Sequence, residues 1–117
     1  MKKATRDRLP NRRACWTIPV EHGRHRFYVS FGIYPDGRLA EVFANGGKVG
    51  SDARTAELEA ATAVSIALQC GVPLEDLRSA MPRDNEGRAE GLLGAILDSW
   101  KELCEAGAFT AEPQLAD

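Results

Sequence analysis

VSFGIYPDGRLAEVFANGGKVGS, residues 29–51, followed by an alanine-rich segment and by SIALQCGVPLEDL at 65–77, decides the fold of this 117-residue chain. Phe27, Val29, Phe31 and Ile33 alternate with Tyr28, Ser30, Gly32 and Tyr34, the period of two expected of a strand with one buried face. Pro35, Asp36 and Gly37 then spell a tight turn, because Pro presets φ and Gly accepts a positive one. Residues 38–44 return as the next strand, with Leu39, Glu41 and Phe43 alternating with Ala40, Val42 and Ala44. Upstream, 14–20 alternate through Trp16, Ile18 and Val20 as a short edge strand, where the missing N–H of Pro19 does no harm. The expectation is a three-stranded antiparallel meander.

After the glycine-rich stretch 45–50, Ser51 or Asp52 caps a helix that reaches about Gln69, with Glu57 and Glu59 early, where the helix dipole favours them. Ala56, Ala60, Ala63 and Ala67 recur at helical spacing and let this helix lie close to a sheet or another helix. Val64, Ile66 and Leu68 lie around the rest, so more than one face is expected to be covered, which in a small chain implies a subunit interface. Gly71 stops the helix, Pro73 opens a short one over 73–80, and Met81-Pro82 closes it. A polar loop leads to a last helix from Leu92 to Ala106, whose apolar stripe is Leu93, Ile96, Leu97, Trp100, Leu103 and Cys104. The predicted class is α+β: a β-meander packed against an alanine-rich helix, then a short helix and a C-terminal amphipathic one. The predicted organisation is a basic extended arm at 1–13 that orders only against a partner, the meander and helix at 14–82, the loop and last helix of the same domain at 83–107, and a frayed tail at 108–117.

The length fits one domain, and no apolar run approaches the ~18 residues a membrane span requires. With no secretory h-region, the expected location is cytoplasmic. Cys15, Cys70 and Cys104 are odd in number and far apart, which argues against a disulfide framework or a zinc site and reads as small buried hydrophobes. The net charge of −2 conceals an asymmetry: residues 1–26 hold eight Lys/Arg against two acidic residues, and the remainder holds seven against fifteen. A basic end on an acidic body suits a phosphate-bearing partner or head-to-tail self-association.

The best candidate site is the loop Gly46-Gly47-Lys48-Val49-Gly50-Ser51. Successive glycine amides ahead of a helix N-terminus make a concave donor array, and Lys48 adds a full charge, so a phosphate or carboxylate suits Gly47, Lys48, Gly50 and Ser51. It is not a Walker A loop, because Val49 follows the lysine and the glycine spacing differs. A second candidate cluster is Arg12 and Arg13 with Arg24 and Arg26, whose forks bind phosphates, while Trp16, Tyr28 and Tyr34 offer rings for a base. His22 and His25 lack a third ligand, so no metal is expected. Glu41, beside Leu39 and Phe43, is expected to be buried and paired with an arginine. No Ser/His/Asp or Cys/His arrangement assembles, so the chain reads as non-catalytic and without a cofactor.

The GIYPDGR turn, the Glu41-Val42-Phe43 triplet, the loop at 48–51 and SIALQCGVPL at 65–74 resemble the TSCPD-type domain found near the C-terminus of adenosylcobalamin-dependent ribonucleotide reductases. LPNRR at 9–13 looks familial as well, and the resemblance covers roughly residues 9–81. The catalytic barrel of those enzymes, with its radical-bearing cysteine and cobalamin site, has no counterpart in this sequence. Neither has the cysteine-proline element that names the domain type, so reductase activity does not carry over. The expectation from residues and resemblance together is a free-standing, homo-oligomeric binding protein for a nucleotide or other phosphate-bearing small molecule. Its pockets would lie between subunits, one giving the arginine arm and the other the Lys48 loop. A sponge of the anti-defence type, as in phage, that sequesters a cyclic nucleotide or cyclic ADP-ribose signal is the sharpest form. The alternative is an accessory or regulatory module of a ribonucleotide reductase or replication enzyme. Single-stranded nucleic acid ranks behind both because the body is acidic.

Overall fold

A computed structural model describes residues 5–46, 52–107 and 114–116. Alternating side chains build β1 (Arg13–His22), β2 (His25–Ile33) and β3 (Leu39–Gly46), joined as antiparallel hairpins. Helices α1 (Asp52–Gln69), α2 (Leu74–Ala80) and α3 (Leu92–Glu105) follow, and a short β4 (Gln114–Ala116) returns to the sheet. The α+β class and the meander stand as the sequence predicts. The sheet order is β3-β2-β1-β4, so a fourth strand is added where a frayed tail was expected: Arg13, Ala14 and Cys15 pair with Ala116, Leu115 and Gln114.

The helices cover one face of the sheet. Val20, Phe27, Val29, Phe31, Val42 and Ala44 meet Ala61, Val64, Leu68, Ile96, Leu97 and Trp100 in a single core. Phe31 and Trp100 pack with ring centroids 5.0 Å apart, and Val29, Phe31, Val42, Ile96 and Leu97 are the largest fully buried side chains. Each contributes about 1.5–3 kcal/mol through burial. Cys104, expected on the apolar stripe of the last helix, is exposed instead, and all three cysteines are free thiols.

Strict alternation placed Leu39 beside Glu41 and Phe43. The structure separates them through a register shift between Gly32 and Ile33. Leu39 joins the core, Glu41 turns to the face without helices, and Phe43 is exposed there. A β-bulge is the physical reason, since one extra residue reverses which side the following chain presents.

As an edge strand, β3 would leave backbone groups unpaired. Two buried polar side chains of α1 complete them: the Val42 N–H donates to Ser65 Oγ at 3.0 Å, and Gln69 Nε2 donates to the Ala40 carbonyl at 3.0 Å. Four residues of helix rise about 6 Å and two residues of strand about 6.7 Å, so the spacings match.

Residues 5–12 do not wait for a partner. The Asp7 N–H donates to the Gln69 carbonyl at 2.8 Å, Arg6 Nε donates to Gln69 Oε1 at 2.6 Å, and the Tyr34 hydroxyl donates to the Asp7 carbonyl. The expected arm is therefore laid across the end of α1 and the β2–β3 turn of its own chain, because Gln69 supplies donors and acceptors in three directions.

Candidate functional site

The residues predicted to bind a ligand fall at opposite ends of the sheet. Arg12, Arg13 and Tyr34 lie where β1 begins and β2 ends, whereas Arg26 lies where β2 begins. Tyr34 is eight residues along the strand from Arg26, about 26 Å at ~3.3 Å per residue. No single chain brings the two groups onto one small ligand. Gly47, Lys48, Gly50 and Ser51 lie outside the described residues.

At the first end, two of the three residues already have internal work. Arg13 Nε sits 2.5 Å from Glu41 Oε1, and its NH1 donates to the carbonyls of Pro10 (3.1 Å) and Asn11 (3.3 Å). Only 23% of the Arg13 side chain and 12% of the Glu41 side chain stay exposed. Glu41 thus has the arginine partner its position foreshadowed. Its side chain crosses Gly32, where an added Cβ would lie 2.4 Å from Glu41 Cγ, so a residue without a side chain is needed beneath it. Tyr34 is buried, with its hydroxyl committed to Asp7 and the Arg38 guanidinium 4.6 Å above its ring. Burial, followed by the charge of Asp7, pushes the Tyr34 hydroxyl above the ordinary tyrosine range. Arg12 remains exposed, lining a shallow cleft with Pro10, Ile33 and Pro35.

The second end is more open. Gly23, with φ +62°, turns the hairpin, and Arg24, His25 and Arg26 follow on its exposed tip. Arg26 NH2 reaches Glu21 Oε1 at 3.0 Å, with 58% and 71% of the two side chains exposed. Hydrogen bonds to Glu21 and then Tyr28 raise the Arg26 guanidinium above its ordinary value, which keeps it charged. Gly46 pairs with Phe27 and adopts φ +139°, and a Cβ there would come within 2.9 Å of the Arg26 carbonyl. Across from it, Arg54 in the first turns of α1 donates to the carbonyls of Ala44 (3.0 Å) and Gly46 (3.1 Å). The described chain therefore stops at Gly46 beside the basic hairpin, and Arg54 ties the start of α1 to Ala44 and Gly46 at the end of β3.

A third arginine group is structural. Asp98 on α3 receives Arg83 through both carboxylate oxygens (2.8 and 2.9 Å) and Arg78 Nε at 2.9 Å, binding α2, the 82–91 loop and α3 together. The hydrogen bond from Arg83, then that from Arg78, holds the Asp98 carboxyl below the usual range against its desolvation. No local pattern marks this hub in the sequence, because its three members fall on a short helix, a polar loop and the last helix. His22 contacts the Glu90 carbonyl through Nε2 at 3.0 Å, and no group of three or more His, Cys, Asp or Glu gathers as metal ligands among the described residues. No helix among them is long and apolar enough to cross a membrane.

Part of the chain matches known proteins in sequence. The TSCPD domain family matches residues 2–93. A vitamin B12-dependent ribonucleotide reductase of Agrobacterium fabrum is 41% identical over 71 residues, which are 61% of this chain and 6% of that protein. The corresponding enzyme of Bradyrhizobium diazoefficiens matches with the same figures. That of Rhodopirellula baltica is 42% identical over 73 residues, 62% of this chain and 7% of the enzyme. The chain thus spans only about 6–7% of the length of the curated relatives it matches. No solved structure matches it.

Proposed function

Because the chain belongs to the TSCPD domain family, a domain type carried by ribonucleotide reductases, we propose that it is a non-catalytic binding module for a nucleotide or another phosphate-bearing small molecule. The observation that carries this reading is the basic hairpin beside Gly46, where the glycine-lysine segment begins. The Arg26–Glu21 pair is exposed on both sides, and solvent screening leaves such a pair weak, so it yields readily to a phosphate. An arginine fork then meets two phosphate oxygens at once. The sequence offers no nucleophile with a partnered base, so the bound molecule is held rather than converted. Sequestration of a cyclic nucleotide or cyclic ADP-ribose signal is the finest form of this proposal.

Arg12 and Arg13 enter such a site only from a second copy, given their distance from Arg26. A homo-oligomer is part of the proposal for that reason. Leu58 and Ile66, 40% and 38% exposed on α1, offer apolar area for such an association.

A second reading is an accessory docking module for a ribonucleotide reductase, favoured by the 71-residue match to vitamin B12-dependent enzymes. One experiment separates the two. Thermal unfolding is followed with mono-, di- and cyclic nucleotides and ADP-ribose derivatives, for the unaltered chain and for Arg26→Ala and Lys48→Ala. A ligand present at about 100 times its Kd stabilises by about 2.7 kcal/mol, and both substitutions should remove the shift. A flat response across the series overturns the small-ligand reading and leaves copurification with a reductase as the test of the second.

A further inference from the structure

We propose that the open face of the sheet is the contact surface of a two-fold pair of this chain, packed sheet on sheet with the copies turned end for end. The helices lie on the other face, so nothing among the described residues covers this one beyond its own side chains. Tyr28 is 53% exposed and Phe43 42%. Tyr28 pairs with Asn45 and Ser30 with Phe43, which makes the two aromatic residues diagonal neighbours on adjacent strands. The polar side chains around the rings have partners within the chain. The Thr17 and Ser30 hydroxyls lie 2.9 Å apart, Arg13 holds Glu41, Arg26 holds Glu21, and Arg54 NH2 donates to Asn45 Oδ1 at 3.2 Å. Such a face can leave water with each of these groups keeping a partner, and the heavy cost of burial falls on polar groups that have none.

Charge and symmetry choose the occupant. The charged side chains that β1, β2 and β3 place on this face form one ion pair at each end, Arg13–Glu41 and Arg26–Glu21. Without net charge, the face neither attracts a polyanion nor repels a copy of itself. Along β1, Thr17 stands midway between Arg13 and Glu21, and Thr17, Ser30 and Phe43 form one row across the three strands. A two-fold axis along that row sets Phe43 against its mate. Each Tyr28 ring then lies over the row of Cys15, Gly32 and Glu41, which bears no ring. The Arg26–Glu21 pair of each copy comes over the Arg13–Glu41 pair of the other. An axis along β2 would instead stack the two Arg26 guanidinium groups, like charge on like. Aligned sheets pack about 10 Å apart with strands within about 30° of one another. Rings at the centre and charges at the margin also match the usual make-up of a protein interface. About twelve residues of each copy take part, roughly half the number in a standard interface, so the pair is small and reversible.

This deepens the homo-oligomer of the small-ligand proposal, since turning one copy end for end carries Arg13 to the Arg26 end of the other. The choice of axis rests in part on that reading; the contact itself does not. The test is sedimentation velocity from about 1 to about 500 µM on the unaltered chain and on Phe43→Glu, Phe43→Trp and Leu58→Glu, each verified as folded by circular dichroism. A reversible dimer is expected. Phe43→Glu, which brings two carboxylates together on the axis, should weaken it about tenfold or more. Phe43→Trp should keep it within about threefold, and Leu58→Glu on α1 should leave it unchanged. The axis is tested with a bis-maleimide of about 10 Å reach on Phe43→Cys and on Tyr28→Cys, each combined with Cys15→Ser, Cys70→Ser and Cys104→Ser. Phe43→Cys should link to its mate, whereas the two copies of position 28 lie about 13 Å apart along the strands and should not. A monomer at every concentration, or a dimer indifferent to Phe43→Glu, overturns the proposal. Loss through Leu58→Glu alone overturns it as well and assigns the pair to α1. Linking through position 28 and not 43 overturns the axis. A nucleotide-induced thermal shift in a chain that stays monomeric removes this inference alone, whereas a dimer that ignores nucleotides leaves it standing and removes the small-ligand reading.

Discussion

Gly32→Ala changes a single hydrogen to a methyl group, yet its cost can be worked out from the outer face of the sheet. The new Cβ would stand 2.4 Å from Glu41 Cγ, 2.6 Å from Oε1 and 2.9 Å from Cδ. Because Cγ is near the root of the side chain, moving the carboxylate tip alone does not relieve the clash. Glu41 must rotate away from Arg13 and give up the 2.5 Å contact. Breaking a fully buried pair costs about 3–5 kcal/mol and an exposed one about 0–1. With 12% and 23% of the side chains exposed, this pair sits nearer the buried limit, at about 2–3 kcal/mol. Alanine recovers about 0.5–1 kcal/mol over glycine within a strand. The net loss is about 1–2.5 kcal/mol, a fall in Tm of roughly 4–10 °C for a chain of this size. Calorimetry or urea unfolding reads it directly. The decisive comparison is the same substitution in a Glu41→Ala background, which removes the three atoms nearest the new methyl group. With those three atoms gone, Gly32→Ala should be neutral or stabilising by up to ~1 kcal/mol. An equal loss in both backgrounds, or none in the unaltered chain, refutes the reasoning.

Asp98→Asn should destabilise by about 2–3 kcal/mol, because two largely buried arginines lose their shared carboxylate. The Asp98 carboxyl is depressed in the folded state, so its stabilisation is present above the ordinary aspartate value of about 3.9 and disappears as pH falls through the folded value. Acid unfolding of Asp98→Asn should therefore be shallower below about pH 4. Tyr34→Phe should cost about 1 kcal/mol and speed amide exchange over 5–12, since the hydroxyl is what holds the Asp7 carbonyl. The Tyr34 hydroxyl is raised, so its stabilisation is complete below about pH 10 and is lost as pH rises through the folded value. The phenylalanine variant should lack that alkaline loss.

The sequence displayed the meander, the Pro35-Asp36-Gly37 turn and the helices because their signals are local: alternation, turn residues and helix stops. Contacts between distant segments were not legible. β4 meets β1 across about a hundred residues of chain, and the pinning of 5–12 to Gln69 and Tyr34 follows no short-range pattern. The bulge at Gly32/Ile33 defeated simple alternation and hid Phe43 as an exposed aromatic neighbour of Tyr28. Glu41 was legible as a buried acid wanting an arginine; that the arginine is Arg13, two strands away, required the register. The same register divides residues that the sequence grouped by chemistry, because charge and residue type do not encode which end of a strand lies near which.

The pairing of Ser65 and Gln69 with β3 also governs how the sheet can grow. At Ala40 and Val42 that border is closed by α1, so another chain finds no free hydrogen-bonding groups there. The other border is shielded by β4 from Arg13 to Cys15, and among the described residues no strand pairs with β1 on that side from Thr17 to His22. A sheet with one extendable side terminates its own assembly. Two copies meeting β1 to β1 in antiparallel fashion form a closed two-fold pair with both outer borders sealed, whereas a fibre requires every added unit to leave a fresh border behind. Edge addition in this fold therefore ends at two copies.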